Sequence, residues 1–406
     1  MGCLGMPARI IISSDMASEK AYGSQWLTTN ADLDVIRDAW EISVQRVEET
    51  LYLTAMLYFK IFTSLACAAQ FLVPALAAPF SHSGSGNATI ETVYQFPNES
   101  WVENIAVRGN GNVLVTLITS PEVWEVDPTT HTAELIYSFP DATAATGITE
   151  VTEDVFAVAI GNWSVVTAAG TKGSWSIWTI DYRSRQSWHK HHGPPSTRKV
   201  AEIQEAVFIN GLTALPTLPD TVLAGDSELG LVNRVNTRTG SHSVAIQDSA
   251  FAANTTAAAL LGINGIHVRD NYLYFTNSFS SSLVFGRIPI SSNGFATGSV
   301  QTIVATPRYP TNIGYHADDF ALDGDGNAWI TTDASSTLVK ATPGGNVTII
   351  EGGPQAAVVA GCTSAAFGRT RGKRVTLYIT TNGGLVVPPV GGIVGGKVLA
   401  LNTRGL

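Results

Sequence analysis

The chain has 406 residues, 45% hydrophobic and only 14% charged, against roughly 25% charged in an ordinary soluble domain. Its formal net charge is -9 and no basic stripe runs along it, which excludes a nucleic-acid binder, since phosphate recognition needs a Lys/Arg surface. The 38 glycines, with abundant Thr, Ser, Val and Ala, favour strands and tight turns over helices.

In chain order, the first signal is MLYFKIFTSLACAAQFLVPALAAPFSHS, which begins at Met56. A short lead with Lys60 precedes an apolar run from Ile61 to Leu76, and Ala75, Ala77 and Ala78 close it. This is the three-part layout of a secretory signal peptide, and the run is shorter than the roughly 20 residues of a spanning helix. The expectation is a signal peptide over 56–78, a secreted protein, and no membrane segment after its removal. A signal sequence works from the N-terminus, so residues 1–55 are read as a gene-model extension or a leader. Cys3 and Cys67 fall in the removed part, which leaves Cys362 alone and allows no intrachain disulfide. Sequons at Asn87, Asn98, Asn162, Asn254 and Asn346 fit an N-glycosylated secretory protein. Asn162 drops out of that set if Trp163 lies in a pocket.

Residues 79–406 carry one unit six times: a polar residue, an alternating apolar stretch, a turn, and a β-rich run ending in Thr, Asp or Asn. The copies start near Glu103, Thr146, Asn210, Asn264, Asp318 and Thr363, spaced by 43, 64, 54, 54 and 45 residues. That spacing suits four-stranded blades with variable loops. Gly109-Asn110-Gly111 and the stretch 323–327 read as hairpin turns, not nucleotide loops. The last copy is short, and TIETVYQF at 89–96 has the look of an outer strand that completes it. The predicted fold is all-β: a six-bladed β-propeller, its ring closed by an N-terminal strand joining the last blade, which hides the sheet edges.

In a propeller the starts of the inner strands line one mouth of the central channel. Glu103, Asn210, Asn264 and Asp318 bring two carboxylates and two carboxamides there, oxygen donors suited to one hard divalent cation such as Ca²⁺. The competing reading makes Asn210-Gly211 and Asn264-Gly265 turns only. The loop tips at the same mouth carry Trp101, Trp163, Asn277, Tyr315, His316, Asp333 and Asn382. Trp101 and Trp163 either line the mouth or pack between blades. Asn104, Trp101, Trp163, Asn277, Asp333 and Asn382 are expected to bind substrate, and His316, Tyr315 and Asn264 to be catalytic.

These motifs resemble the SMP-30/gluconolactonase/LRE-like propellers. In that family a Glu-Gly-Pro, a Pro-Asn-Gly and a Pro-Asp-Gly supply cation ligands. The resemblance places Glu103, Asn264 and Asp318 at those positions and Asn210 beside the family's Asn-Asp pair. Asn104-Ile105 stands where the family has Gly-Pro, and Asp319 where it has Gly, which weighs against lactone hydrolysis. The secreted, charge-poor character resembles the fungal members that act as hetero-Diels-Alderases in tropolone–sesquiterpenoid biosynthesis. That likeness implies cycloaddition between a tropolone-type o-quinone methide and a humulene-type sesquiterpene. A Ca²⁺-dependent lactonase and a non-catalytic ligand-binding propeller are the alternatives. Each implies a small-molecule partner, apolar or lactone-like, no organic cofactor, and a monomer.

Overall fold

The structure, a computed structural model, describes residues 89–183, 194–254, 259–305 and 316–406. The expectations placed on 1–55, on 56–78, on Asn87 and on Tyr315 lie outside the described residues.

Six four-stranded antiparallel sheets stand as blades. Blade 1 is β2 (Val102–Val107), β3 (Val113–Leu117), β4 (Glu122–Asp127) and β5 (Thr132–Ser138). Blade 2 is β6 (Ala144–Thr152), β7 (Val155–Gly161), β10 (Ser176–Asp181) and β11 (Ser196–Glu202), with a small hairpin, β8 (Trp163–Ser164) and β9 (Ala169–Gly170), in the loop after β7. Blade 3 is β12 (Ile209–Ala214), β13 (Thr221–Asp226), β14 (Leu231–Asn236) and β15 (His242–Gln247). Blade 4 is β16 (Ile263–Arg269), β17 (Tyr272–Asn277), β18 (Leu283–Pro289) and β19 (Gln301–Ala305). Blade 5 is β20 (Phe320–Leu322), β21 (Ala328–Thr331), β22 (Thr337–Ala341) and β23 (Val347–Gly352). Blade 6 is β24 (Cys362–Phe367), β25 (Thr376–Thr381), β26 (Lys397–Asn402) and, as its outer strand, β1 (Ile90–Gln95). The fold is thus the six-bladed propeller that the repeats imply. β1 closes the ring, pairing with β26 from Ile90↔Leu401 to Gln95↔Lys397.

The pattern of each strand follows from its place in the blade. β2 and β3 are buried along their whole length, because both of their faces meet neighbouring blades, and they read as continuous apolar runs. The outer β5 is mostly exposed. The core lies between blades, and each of the six junctions carries an aromatic pair in edge contact. In order from blades 1–2 these are Phe139–Trp178, Trp175–Phe208, Phe251–Phe275, Phe285–Phe320, Trp329–Phe367 and Phe96–Trp124, with centroids 4.8 to 6.1 Å apart. Blades 1 and 2 share a buried ion cluster as well. Arg108 bonds Glu125 and Asp154 at 2.7 Å each and lies over the Tyr182 ring.

Hydroxyl groups stitch the inner strands together. Thr146 donates to Ile209 O at 2.6 Å, Thr331 to Thr363 O at 2.8 Å, and Thr363 to Val102 O at 2.6 Å. Ser227 and Thr276 do the same for Ile263 O and Asp318 O. Strands at this radius lean away from one another as the ring turns, so a side-chain donor satisfies carbonyls that no ladder reaches. Each inner strand starts at one mouth of the channel, and the strands of a blade alternate in direction. The loops after every second strand and between successive blades therefore gather at that same mouth.

Candidate active site at the propeller mouth

Six residues begin the inner strands: Glu103, Thr146, Asn210, Asn264, Asp318 and Thr363, all buried. Thr146 and Thr363 spend their hydroxyls on the stitches. The other four are brought together around the axis. Burial, then the charge of Asp333, pushes the Glu103 carboxyl up to about 8; the Trp101 indole and the Asn210 amide pull the other way. Asp318 is raised well above the usual carboxylate range by burial and by the charges of Glu103, Asp333 and Asp319, with Asn264 opposing. Asn264 is held by its amide nitrogen, which donates to Ser278 Oγ at 2.9 Å. Glu103 Oε2, Asn210 Oδ1 and Asn264 Oδ1 are buried and have no hydrogen-bond partner.

Such orphaned acceptors at the convergence of six strands need a donor or a cation. The propellers that these motifs resemble hold a divalent cation at the hub, and the three orphaned atoms of Glu103, Asn210 and Asn264 suit one, since each is a hard oxygen. Among the described residues no three of the His, Cys, Asp and Glu side chains cluster as a metal set. A cation at the hub would therefore draw on carboxamides as well as carboxylates.

One step further along the inner strands the channel is filled by a second layer. In blades 2, 3 and 4 this position is Gly147, Gly211 and Gly265. A Cβ there would lie 2.4 Å from Asn210 O, 2.2 Å from Asn264 O, or 2.1 Å from Asp319 Oδ1. In blades 1, 5 and 6 it is Asn104, Asp319 and Ser364. Asp319 Oδ2 accepts from Asn104 Nδ2 at 3.0 Å and from Ser364 Oγ at 2.8 Å, while its Oδ1 accepts from Phe320 N and pairs with His267 Nε2 at 3.1 Å. Asn104 Oδ1 accepts from Ile105 N, so both polar ends of Asn104 are engaged inside the channel. Asp319 is a centre that the sequence offered only as a departure from the family pattern. Comparing the residue after each hub position across the six repeats would have singled it out.

The loop residues divide. Asn382 donates to Asp333 Oδ1 at 2.5 Å, and its own Oδ1 accepts from Gly384 N and Leu385 N. Burial lifts the Asp333 carboxyl to about 7 against the Asn382 bond. Asn277 braces a loop instead, donating to Ala250 O and Ala252 O and accepting from Phe279 N. Trp101 and Trp163 stand partly exposed at the mouth against one core cluster of blades 1 to 3, their Nε1 atoms buried and unpartnered, so they both line the mouth and pack between blades. Trp163 stacks on Phe208, with centroids 4.0 Å apart and planes at 21°. Asn162 Oδ1 is likewise buried without a partner. His316 meets the Phe279 ring edge-on, and burial lowers its pKa to about 4, so its imidazole is neutral at physiological pH.

No family model matches the chain. Over 326 residues it is 29% identical to a protein of Phoma sp named as an inferred hetero-Diels-Alderase, covering 73% of this chain and 89% of that one. The chain is similar to named hetero-Diels-Alderases. A second such protein, from Sarocladium schorii and with the same inferred role, is 27% identical over 349 residues, 77% of this chain and 83% of that one. Among solved structures, a luciferin-regenerating enzyme superposes with a TM-score of 0.55 at 12% identity, over 79% of this chain and 96% of its own. Regucalcin from Agrobacterium tumefaciens, described as a calcium-binding protein, gives 0.54 at 12% identity, over 77% and 93%. At that identity these two establish the propeller fold alone.

Proposed function

We propose that the protein catalyses an intermolecular hetero-Diels–Alder cycloaddition between an o-quinone methide of tropolone type and a humulene-type sesquiterpene alkene. The observation that carries this is a joint one. The chain is similar over most of its length to named hetero-Diels-Alderases, and its mouth sets indole faces against two carboxyls that burial raises well above the usual carboxylate range.

The reaction forms one C–C and one C–O bond, consumes three π bonds, makes one, and releases nothing. It needs no nucleophile and no net proton transfer, so the protein's task is to hold two reactants in contact and to stabilise charge drawn onto the heterodiene oxygen. Holding two reactants in a near-attack pose can supply about 7–11 kcal/mol of the barrier. A neutral Glu103 or Asp333 carboxyl would donate a hydrogen bond to that oxygen, the role of a preorganised donor in an oxyanion hole. The buried Trp101 Nε1, which faces Glu103, offers a second donor beside it. Glu103, Asn210, Asn264 and Asp318 would hold a Ca²⁺ ion if one binds, and it would supply Lewis-acid polarisation of the same oxygen. Neutral His316 beside Phe279 would contribute shape and a hydrogen bond, not charge.

The orphaned hub oxygens favour a second reading, a cation-dependent lactonase. One experiment separates the two. The full chain is mixed with humulene and an o-quinone methide generated in situ, and in parallel with sugar lactones, each with and without chelator. A cycloadduct formed faster than in buffer and as one stereoisomer is the expected outcome. A racemic adduct at the buffer rate, with lactone hydrolysis that the chelator abolishes, would overturn the proposal. Inactivity on both classes would leave a binding propeller.

A further inference from the structure

The tier of residues two positions before each hub residue lies just inside the mouth. Around the ring it reads Trp101, Ala144, Phe208, Gly262, His316 and Gly361. Over blades 1 to 3 this tier is aromatic, because the Trp163 hairpin supplies a ring beside small Ala144 and lays it flat on Phe208. Across the channel it holds two glycines and a histidine. The glycines there make room for other groups. A Cβ on Gly361, whose φ is +60°, would sit 1.8 Å from Asn382 Oδ1, and one on Gly262 would sit 2.0 Å from Phe251 O. The space beside Gly361 is the one that Asn382 uses to reach Asp333 at 2.5 Å. The mouth is therefore built in two halves, stacked rings over blades 1 to 3 and an amide–carboxyl pair over blades 5 and 6. Glu103 lies between them, facing both Trp101 and Asp333.

The surrounding loops extend the contrast to the entrance. Val165, Leu260, Val358, Val390 and Ile393 are exposed on mouth-side loops, Val390 at 79%. Such a collar favours arrival of an apolar molecule, which desolvates progressively as it descends.

We infer that the two reactants have fixed seats: the hydrocarbon alkene lies on the Trp101–Trp163 wall, which buried Phe208 backs, and the oxygen-bearing reactant is held by Asp333, which buried Asn382 positions, its oxygen turned toward Glu103. This rests on the cycloaddition reading for the identity of the pair, while the seats themselves are a property of binding. Flat π faces attract a polyene through dispersion and area burial and offer it few polar groups to desolvate. A cyclic oxygenated ring instead needs polar partners, which the paired Asp333 carboxyl and Asn382 amide provide. Fixed seats on opposite sides of one axis also explain how one stereochemical outcome is selected, since each reactant presents a single face to the other. Trp163 is then the residue that sets which alkenes are accepted.

The test uses stable probes and no turnover. Humulene alone and tropolone alone are titrated calorimetrically into the full chain and its Trp163→Ala, Trp163→Phe and Asp333→Asn variants, with thermal unfolding checked for each. Trp163→Ala is expected to weaken humulene at least about tenfold and tropolone less than about twofold, with Trp163→Phe restoring most of the loss. Asp333→Asn is expected to do the reverse. Equal weakening of both probes by either variant overturns the inference, as does parent protein that binds neither probe or a Trp163→Phe no better than Trp163→Ala. Because no adduct is measured, a failure of cycloaddition with the partition intact would remove the reaction and keep the seats.

Discussion

Replacing Glu103 with Gln is expected to make the protein more stable at alkaline pH, although it removes a buried polar contact. The Glu103 carboxyl is raised from 4.5 to about 8, first by burial and then by the charge of Asp333. A group whose folded pKa lies above its unfolded value contributes stability that is whole below the unfolded pKa and is lost as pH rises through the folded one. For Glu103 that window runs from 4.5 to about 8. At about 1.36 kcal/mol per pH unit the span sets a ceiling of about 5 kcal/mol lost by pH 9. Gln keeps the shape and carries no charge, so it recovers part of this, about 1–3 kcal/mol and about 2–6 °C in Tm. The assay is thermal unfolding of the full chain and the E103Q variant in chelator at pH 5.5, 7 and 9. Taking the difference between the two proteins cancels the titration of groups remote from Glu103, leaving that of Glu103 and of the neighbours that sense its charge, Asp318 among them. At pH 5.5 about 1.4 kcal/mol of that ceiling is lost, so the variant's lead should be small there and largest at pH 9. Millimolar Ca²⁺ at pH 9 should then raise the parent more than the variant, because only the parent offers the fourth hub oxygen as an anion. A variant less stable than the parent at pH 9 in chelator, or a difference that does not change with pH, would refute a desolvated carboxyl at this position.

Two further outcomes test the frame around the hub. Gly211→Ala places a Cβ 2.2 Å from Asn264 O and 3.1 Å from Ile266 N, both backbone atoms, and should cost about 3 kcal/mol or more in urea unfolding. Gly324→Ala meets nothing within 4 Å and should change stability by less than about 0.5 kcal/mol. Cys362 is buried, donates to Thr337 O at 3.0 Å, and has its thiol pushed up to about 12 by burial, so iodoacetamide at pH 8 should label it only after denaturation.

The propeller was legible because its signal repeats. A continuous apolar inner hairpin after a polar start has one economical packing, and six copies close a ring. The hub oxygens were legible for the same reason, as Glu103, Asn210, Asn264 and Asp318 each open a copy and the axis gathers them. Asp319 was not, because its meaning lies in three partners on other blades, Asn104, Ser364 and His267, that no single repeat contains. Phe208 was missed because it reads as an ordinary core aromatic until the Trp163 hairpin of the preceding blade lies over it.

The two asparagines that end second strands show where such reading runs out. Asn277 and Asn382 hold equivalent places in blades 4 and 6, and each uses its Oδ1 on backbone N–H groups of the loop that follows. Their amide nitrogens differ. In blade 4 the turn over Ser249–Phe251 brings the Ala250 and Ala252 carbonyls within reach, and Asn277 is used up on them. In blade 6 the chain enters through Gly361 in a left-handed conformation, which clears the space for the Asn382 side chain and lets its amide nitrogen meet Asp333. Whether the amide nitrogen of such an asparagine stays with the loop or turns to a neighbouring carboxyl thus depends on the residue that opens the inner strand of its own blade. Gly262 stands at the same place in blade 4, so it is the left-handed conformation of Gly361, not the glycine alone, that goes with the turned amide. It follows that an L-residue substituted at Gly361 should cost the Asp333–Asn382 grip before it costs the blade.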